Sequence, residues 1–207
     1  WLWFWLREDR LHPEPRRMIL ECFVLGGAGA FLALALEKGV QSLGLAAILV
    51  TLLWAVIEEG VKFAATSLGA FRTKFFDEPV DAMMYLVTTA LGFAAVENTL
   101  FLLKALRDGG IEQAFLTGNL RFIGATLLHV VSSAALGAFY AFAFYRSRIR
   151  KEFAVFLGLL CATALHFAFN FFIMGGEGKY QLLIFMALWA TVIAVFLLFE
   201  RVKRITK

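Results

Sequence analysis

The sequence is poor in the residues that mark soluble or disulfide-stabilised proteins. Only 17% of its 207 residues are charged and only three are proline, whereas soluble domains carry about 25% charged residues. The two cysteines, Cys22 and Cys161, lie inside apolar segments and form no CxxC motif. We expect them to pack as small hydrophobic side chains, without a disulfide framework. No segment alternates apolar and polar residues in the manner of a membrane β-strand.

Apolar residues are abundant instead. They make up 61% of the chain, 23 of them are phenylalanine, and the mean hydropathy is +0.77. Several apolar runs approach the ~20 residues that cross ~30 Å of hydrocarbon. The sequence therefore predicts an all-α, polytopic transmembrane helix bundle that forms a single domain over residues 1–207. Its six predicted spanning helices cover residues 18–36, 45–70, 82–103, 122–145, 153–174 and 180–199.

The second of these helices contains charged residues, because its uncharged part, residues 45–57, is too short to cross a bilayer by itself. The segment continues through Glu58, Glu59 and Lys62 without a proline. We predict that the helix also continues, which places three charged side chains near the middle of the membrane.

The distribution of basic residues predicts the orientation. When residues 7–17 are placed in the cytoplasm, 14 Lys and Arg residues lie on that side and 5 on the other. Because cytoplasmic loops are enriched in Lys and Arg, we predict a cytoplasmic C-terminus. The net charge of +4 then reflects topology and contact with anionic lipid, and no nucleic-acid partner is predicted. The opening WLWFWLRED is interpreted as the end of an earlier spanning helix.

Ionisable residues inside the predicted helices are the main functional signal. A charge at the centre of a spanning helix costs about 2.5–3.5 kcal/mol or more, so such residues usually serve a function. Counted along the helices at 1.5 Å per residue, five of them reach the middle or outer half of the membrane from four different helices. These candidate catalytic residues are Glu58, Glu59, Glu97, His129 and His166.

Three neighbouring residues are predicted to support this cluster. Lys62 follows Glu58 by four residues and Glu59 by three, so its ammonium can pair with one carboxylate but cannot neutralise both. Asn98 is expected to form an interhelical hydrogen bond. Asn170 follows His166 by four residues and shares its helix face.

The chemistry of these residues suits hydrolysis of a peptide bond. Such a reaction needs an activated water, a stabilised oxyanion and a proton for the leaving amine. Glu58 or Glu59, together with His129, would bind and deprotonate water, while His166 and Asn170 would face the oxyanion.

A metal-dependent version is equally compatible with the sequence. Glu97, His129 and His166 would form a shell of two histidines and one carboxylate for Zn²⁺ or another divalent ion, and Glu58 or Glu59 would act as the base. Both versions remain open at the level of sequence.

Several motifs together resemble those of a known protease family. They are DRLHPEPRRMIL, EEGVK, FDEPVDAMMYLVTTALGFAAVEN, His129 and HFAFN. The chain resembles the PrsW-type intramembrane proteases, glutamate-dependent enzymes related to the CAAX prenyl endopeptidases. The resemblance implies a bacterial cytoplasmic-membrane protein that cleaves a membrane-anchored protein substrate, such as an anti-sigma factor.

The sequence departs from the CAAX endopeptidase pattern at two places. EEGVK has Lys62 where EExxxR has an arginine one residue later, and Ala125 stands four residues before His129 in place of phenylalanine. These departures favour the PrsW branch over the processing of prenylated proteins.

Two other functions are compatible with buried Glu and His residues. One is a transporter or proton relay, although the polar groups cluster centrally and outward and no inverted repeat is visible. The other is an inactive binding or immunity protein on the same scaffold.

In FDEPVD, Pro79 is predicted to open a helix, with Asp77, Glu78 and Asp81 near its N-terminal dipole. A substrate-gating role is the alternative.

Overall fold

The computed structural model describes residues 14–175 and 181–205 of the chain. Within these residues it contains helices and no strands, which confirms the predicted all-α class. The expected end of an earlier helix, at the start of the chain, lies outside the described residues. The helices are α1 Arg16–Gln41, α2 Ala47–Gly69, α3 Pro79–Phe142, α4 Arg148–Gly175 and α5 Gln181–Val202.

The longest helix, α3, is a helical hairpin that reverses at Gly110. This glycine has φ 74° and ψ −167°, a conformation that side chains other than glycine rarely adopt. It divides α3 into two arms, α3a (residues 79–109) and α3b (residues 111–142). The arms are antiparallel, since Asn98 Nδ2 of α3a donates a hydrogen bond to Thr126 Oγ1 of α3b at 2.9 Å.

The predicted helix ends at residues 103 and 122 are therefore wrong, because both helices continue to the turn at Gly110. The stretch between these residues is polar but rich in good helix formers such as leucine, alanine and arginine, and it has no proline. Polarity at this point indicates contact with water and not the end of a helix. Both arms continue past the apolar part of the sequence, and the reversal occurs only at the glycine.

The start of α3 confirms the capping role predicted for FDEPVD. Pro79 is the first helical residue, where its missing N–H costs nothing. The Asp81 side chain accepts hydrogen bonds through Oδ2 from the backbone N–H groups of Glu78 at 2.7 Å and Asp77 at 2.9 Å. The acidic residues thus satisfy donors that the first turn leaves open.

Five segments of the described chain are long and apolar enough to cross a membrane. They are Arg16–Gln41, Pro79–Leu116, Arg121–Phe142, Arg148–Phe172 and Leu182–Val202. The predicted number of six is one too high by this measure, because Glu58, Glu59 and Lys62 interrupt the apolar sequence of α2. The predicted helix itself exists and packs against α1, α3 and α4, which lets its charged residues face the inside of the bundle.

The α3 hairpin lies at the centre of the bundle. About 83% of the most apolar stretch of α3b is buried, against 17% for that of α4 and 28% for that of α5. Small residues allow α1 to approach α3a closely: a Cβ atom added at Gly92 would lie 1.9 Å from the Phe23 carbonyl oxygen, and one at Gly26 would lie 2.0 Å from that of Thr89. Such backbone contacts are typical of helix packing in membranes. They hold α3a tightly against α1.

Candidate active site and metal centre

The predicted ionisable residues meet inside the bundle. Their side chains come from α2, from both arms of α3 and from α4. Glu97, at the edge of this group, is 23% exposed, and the other four are 0–5% exposed. Counting residues along the predicted helices thus placed these groups at a common depth correctly. The buried members are Glu58, Glu59, His129 and His166.

Glu58 faces the two imidazoles. Its Oε2 atom lies 3.6 Å from His166 Nε2 and 3.9 Å from His129 Nδ1. It has no hydrogen-bond partner among the described residues, although it is buried. One ligand atom from each of these three residues lies within 4.8 Å of the others. An unpaired carboxylate oxygen beside two imidazole nitrogens is a donor set that suits a divalent metal ion.

The opposite nitrogen of each imidazole contacts a second carboxylate. His129 Nε2 lies 2.9 Å from Glu97 Oε2, and His166 Nδ1 lies 2.7 Å from Glu59 Oε1. When these nitrogens carry the hydrogen, the nitrogens that face Glu58 keep their lone pairs. Histidine ligands of metal ions are commonly oriented in this way. The site therefore fits a metal ion in two respects. Glu58, His129 and His166 offer the donor atoms, and Glu97 and Glu59 contact the far nitrogens of the two imidazoles.

The carboxylate in this trio differs from the one predicted from the sequence. Glu97 was the predicted ligand beside His129 and His166, but its Oε2 contacts the far nitrogen of His129 and also Arg121 Nη2 at 2.8 Å. Glu58 lies between the two imidazoles instead. Depth along a helix was available from the sequence, whereas the direction of each side chain was not.

Lys62 pairs with Glu59, and among the described residues no second Lys or Arg forms an ion pair with Glu58. Its Nζ atom lies 2.6 Å from Glu59 Oε1, and both side chains are fully buried. The same Nζ is 3.0 Å from His129 Nδ1, one of the nitrogens that face Glu58. The Nδ1 lone pair can serve the ammonium or a metal ion, but not both at once.

We expect Glu59→Gln to lower the free energy of unfolding by about 3–5 kcal/mol, because it leaves the Lys62 ammonium buried without its counter-charge. The double variant Glu59→Gln with Lys62→Met should recover most of this loss, since it removes both charges. Thermal unfolding in detergent would measure the effect. Equal stability of the single and double variants would contradict it.

Two contributors to the site were not predicted as such. Ser132 donates a hydrogen bond to Glu59 Oε1 at 3.0 Å; its position three residues after His129 places it on the same helix face. Arg121 is one of the five basic residues that the sequence places on the external side, but its Nε donates to Asn98 Oδ1 at 3.0 Å. Its guanidinium also lies over the ring of Phe101 at 3.7 Å. The sequence did contain a signal for Arg121, because this basic residue directly precedes the apolar segment that contains His129.

Arg121 is expected to act as a positioning residue for His129 through Glu97. Arg121→Met should weaken zinc binding by about tenfold, the lower end of the usual effect of changing a group that orients a metal ligand. The protein should still fold. Arg107→Met is the matched control, because Arg107 is exposed and pairs with Asp108. Zinc titration and thermal unfolding of both variants would measure this. Unchanged zinc affinity for Arg121→Met would rule the role out.

The two predicted asparagines have different outcomes. Asn98 forms an interhelical hydrogen bond, with Thr126, as predicted. Asn170 is half-buried on α4, one turn beyond His166. In residues 14–175 and 181–205 no hydrogen bond joins its amide to the cluster, so its role toward the oxyanion stays a prediction.

Comparison with known proteins agrees with the resemblance seen in the motifs. Residues 14–199 match the model of the family described as PrsW family intramembrane metalloprotease. Protease PrsW of Bacillus subtilis (strain 168) is 28% identical over 198 residues, which cover 90% of this chain and 84% of that protein. Protease PrsW of Geobacillus kaustophilus (strain HTA426) is 27% identical over 195 residues, covering 90% and 81%.

A third relative, Protease PrsW of Clostridioides difficile (strain 630), is 26% identical over 182 residues, or 83% of this chain and 74% of that protein. No solved structure shows a significant match. These bacterial relatives and the apolar helices identify a multi-pass bacterial membrane protein with protease function. The chain belongs to the PrsW family of intramembrane proteases.

Proposed function

We propose that this membrane protease hydrolyses a peptide bond in a membrane-anchored, anti-sigma-factor-like protein, with the buried Glu and His cluster as its active site. The observation that carries the proposal is the unpaired Oε2 of Glu58 between His166 and His129. An unpaired carboxylate oxygen in a buried site is costly. A ligand, a metal ion or a reacting water would supply the missing partner.

Glu58, His129 and His166 would hold Zn²⁺ or a similar ion. When bound there, such an ion supplies Lewis acidity for the scissile carbonyl and acidifies water. Glu97 and Glu59 keep the two imidazoles oriented through their far nitrogens. These contacts fix the inner donor atoms before a substrate arrives, which lowers the reorganisation that the reaction requires.

Glu59 has the carboxylate oxygen that is left to move a proton. Its Oε1 contacts Lys62, Ser132 and His166, whereas its buried Oε2 has no partner among the described residues. We assign Oε2 as the acceptor of the proton of the attacking water. The same proton then passes to the leaving amine, so the C–N bond breaks, a C–O bond forms and Glu59 returns to its starting state. Asn170 is the proposed amide donor to the oxyanion.

Reconstitution in liposomes would test the proposal against a proton relay. Wild-type protein should convert a single-pass anti-sigma-factor protein into two fragments. A triple variant with Glu58→Gln, His129→Ala and His166→Ala should produce none. Proton flux, followed with an enclosed pH dye, should be the same for both proteins. Proton flux that depends on the cluster, without any fragment, would favour the relay.

The proposed topology counts α2 as a sixth crossing helix and places the C-terminus in the cytoplasm and the tip of the α3 hairpin outside. The bias of 14 basic residues against 5 carries this assignment. A reporter fused after Lys207 should be active only as a cytoplasmic reporter, and one inserted at Gly110 only as an external one. The reverse pattern would overturn both the topology and the external position of the hairpin tip.

A further inference from the structure

An apolar cavity lies between α3b, α4 and α5, apart from the Glu and His cluster. Its volume is about 350 Å³, within the range of sites that bind ligands. Among the described residues that line it, the one polar side chain is that of Thr191, whose hydroxyl donates to the Ala187 carbonyl at 2.8 Å within α5. This described part of the wall therefore offers no free polar group. Its walls include Leu128, Val131, Leu165, Phe169, Phe172 and Leu183.

The cavity begins at the level of the active site. Leu128 directly precedes His129, and Leu165 directly precedes His166. The two helices that carry the histidines thus also form its inner wall. On α5 the wall extends from Leu183 to Thr191, eight residues or about 12 Å along the helix. This length corresponds to a little over two turns of a helix lying alongside.

The mouth of the cavity opens between α4 and α5. The rim residues Phe172 and Leu183 are 51% and 64% exposed, and both lie in segments that are long and apolar enough to cross a membrane. α5 packs mainly on α3 and makes little contact with α4. An apolar segment in the bilayer can therefore reach the cavity from the side without first passing through water.

We propose that this groove between α4 and α5 receives the transmembrane helix of the protein substrate. The inference rests on the proposed function, because a membrane-anchored substrate must bring its cleavage region to a cluster that is buried in the bundle. Apolar side chains spaced three and four residues apart on one helix would fill the groove. The groove's continuity with the helices of His129 and His166 favours the substrate over a phospholipid acyl chain as the occupant.

Photo-crosslinking would distinguish these two occupants. Phe172 is replaced by p-benzoylphenylalanine in a Glu58→Gln background, and the protein is co-expressed with a single-pass anti-sigma-factor protein. Leu160 is the matched control, because it is 58% exposed on the same helix and does not line the groove. We expect an adduct with the substrate's membrane segment from position 172 and none from position 160. Adducts of phospholipid mass alone at both positions would overturn the proposal.

Filling the groove gives a second, kinetic test. Ala168→Phe adds a ring inside the groove, whereas Ala164→Phe adds one to an exposed position one turn away that does not line it. We expect Ala168→Phe to raise the KM for the single-pass substrate at least tenfold, with kcat and zinc content unchanged. Ala164→Phe should match wild type, and an equal effect of both variants would argue against the groove. Crosslinking at position 172 without cleavage by the wild type would contradict the proposed function and leave the groove supported.

Discussion

Glu58→Gln is expected to lower the cleavage rate of a single-pass substrate by at least about 100-fold, because loss of a proposed metal ligand should cost more than the roughly 10–100-fold loss of a group that only orients one. The expected cause is loss of the charged donor between His129 and His166. The protein should still fold, because Glu58 Oε2 has no hydrogen-bond partner in the described part of the chain that the amide would break. Fragment formation in proteoliposomes would measure the rate.

Glu112→Gln is the matched control for this variant, since Glu112 is exposed near the hairpin tip. It should cleave at the wild-type rate. Zinc content separates the roles of the two neighbouring glutamates. Glu58→Gln should lose the ion together with activity, whereas Glu59→Gln should lose activity but only weaken zinc binding by about 10–100-fold, because Glu59 orients His166 and does not contact the ion. Undiminished turnover in Glu58→Gln would remove this residue from the active site.

Purified protein is expected to contain about one equivalent of zinc or a similar ion, and its activity should disappear with a strong chelator and return with added metal. His129→Ala and His166→Ala should each lose the ion almost completely, because a site with only two protein donors is poor. Elemental analysis and activity of the same samples would give both results.

Glu97→Gln decides which carboxylate binds the ion. If Glu58 is the ligand, Glu97→Gln should weaken zinc binding by about 10–100-fold, as expected for a group that orients a ligand. Complete loss of zinc in Glu97→Gln, with full retention in Glu58→Gln, would restore the trio predicted from the sequence. Full turnover of metal-free protein would instead favour the arrangement in which Lys62 lies against His129 Nδ1.

Much of the fold could be predicted from the sequence, because the length of an apolar segment and the charged residues that interrupt it are properties of that segment alone. The helices and the common depth of His129 and His166 are examples. The extent of the α3 hairpin could not be predicted in the same way, because the residues before and after Gly110 are polar and still helical. Polar residues in contact with water can form a helix as well as a loop, so polarity alone does not predict where the helix ends.

The arrangement within the site depended on contacts between helices, which spacing alone does not provide. Glu58 and Glu59 lie about 100° apart on α2, and both are within reach of Lys62. Glu59 pairs with Lys62, and Ser132 and His166 stabilise this arrangement because they contact Glu59 Oε1 from α3b and α4. Neither contact has a signature within α2 itself.

The order of the helices in the chain has a consequence for membrane insertion. The Glu59–Lys62 pair forms within α2 alone, and the Glu97–His129 pair forms within the single α3 hairpin. Each of these acids can therefore enter the membrane already partnered, as its own segment leaves the translocon. His166 comes last, on α4, and its arrival completes the surroundings of Glu58. A chain stopped before α4 would thus carry Glu59 and Glu97 in a tolerated form while lacking a finished catalytic centre.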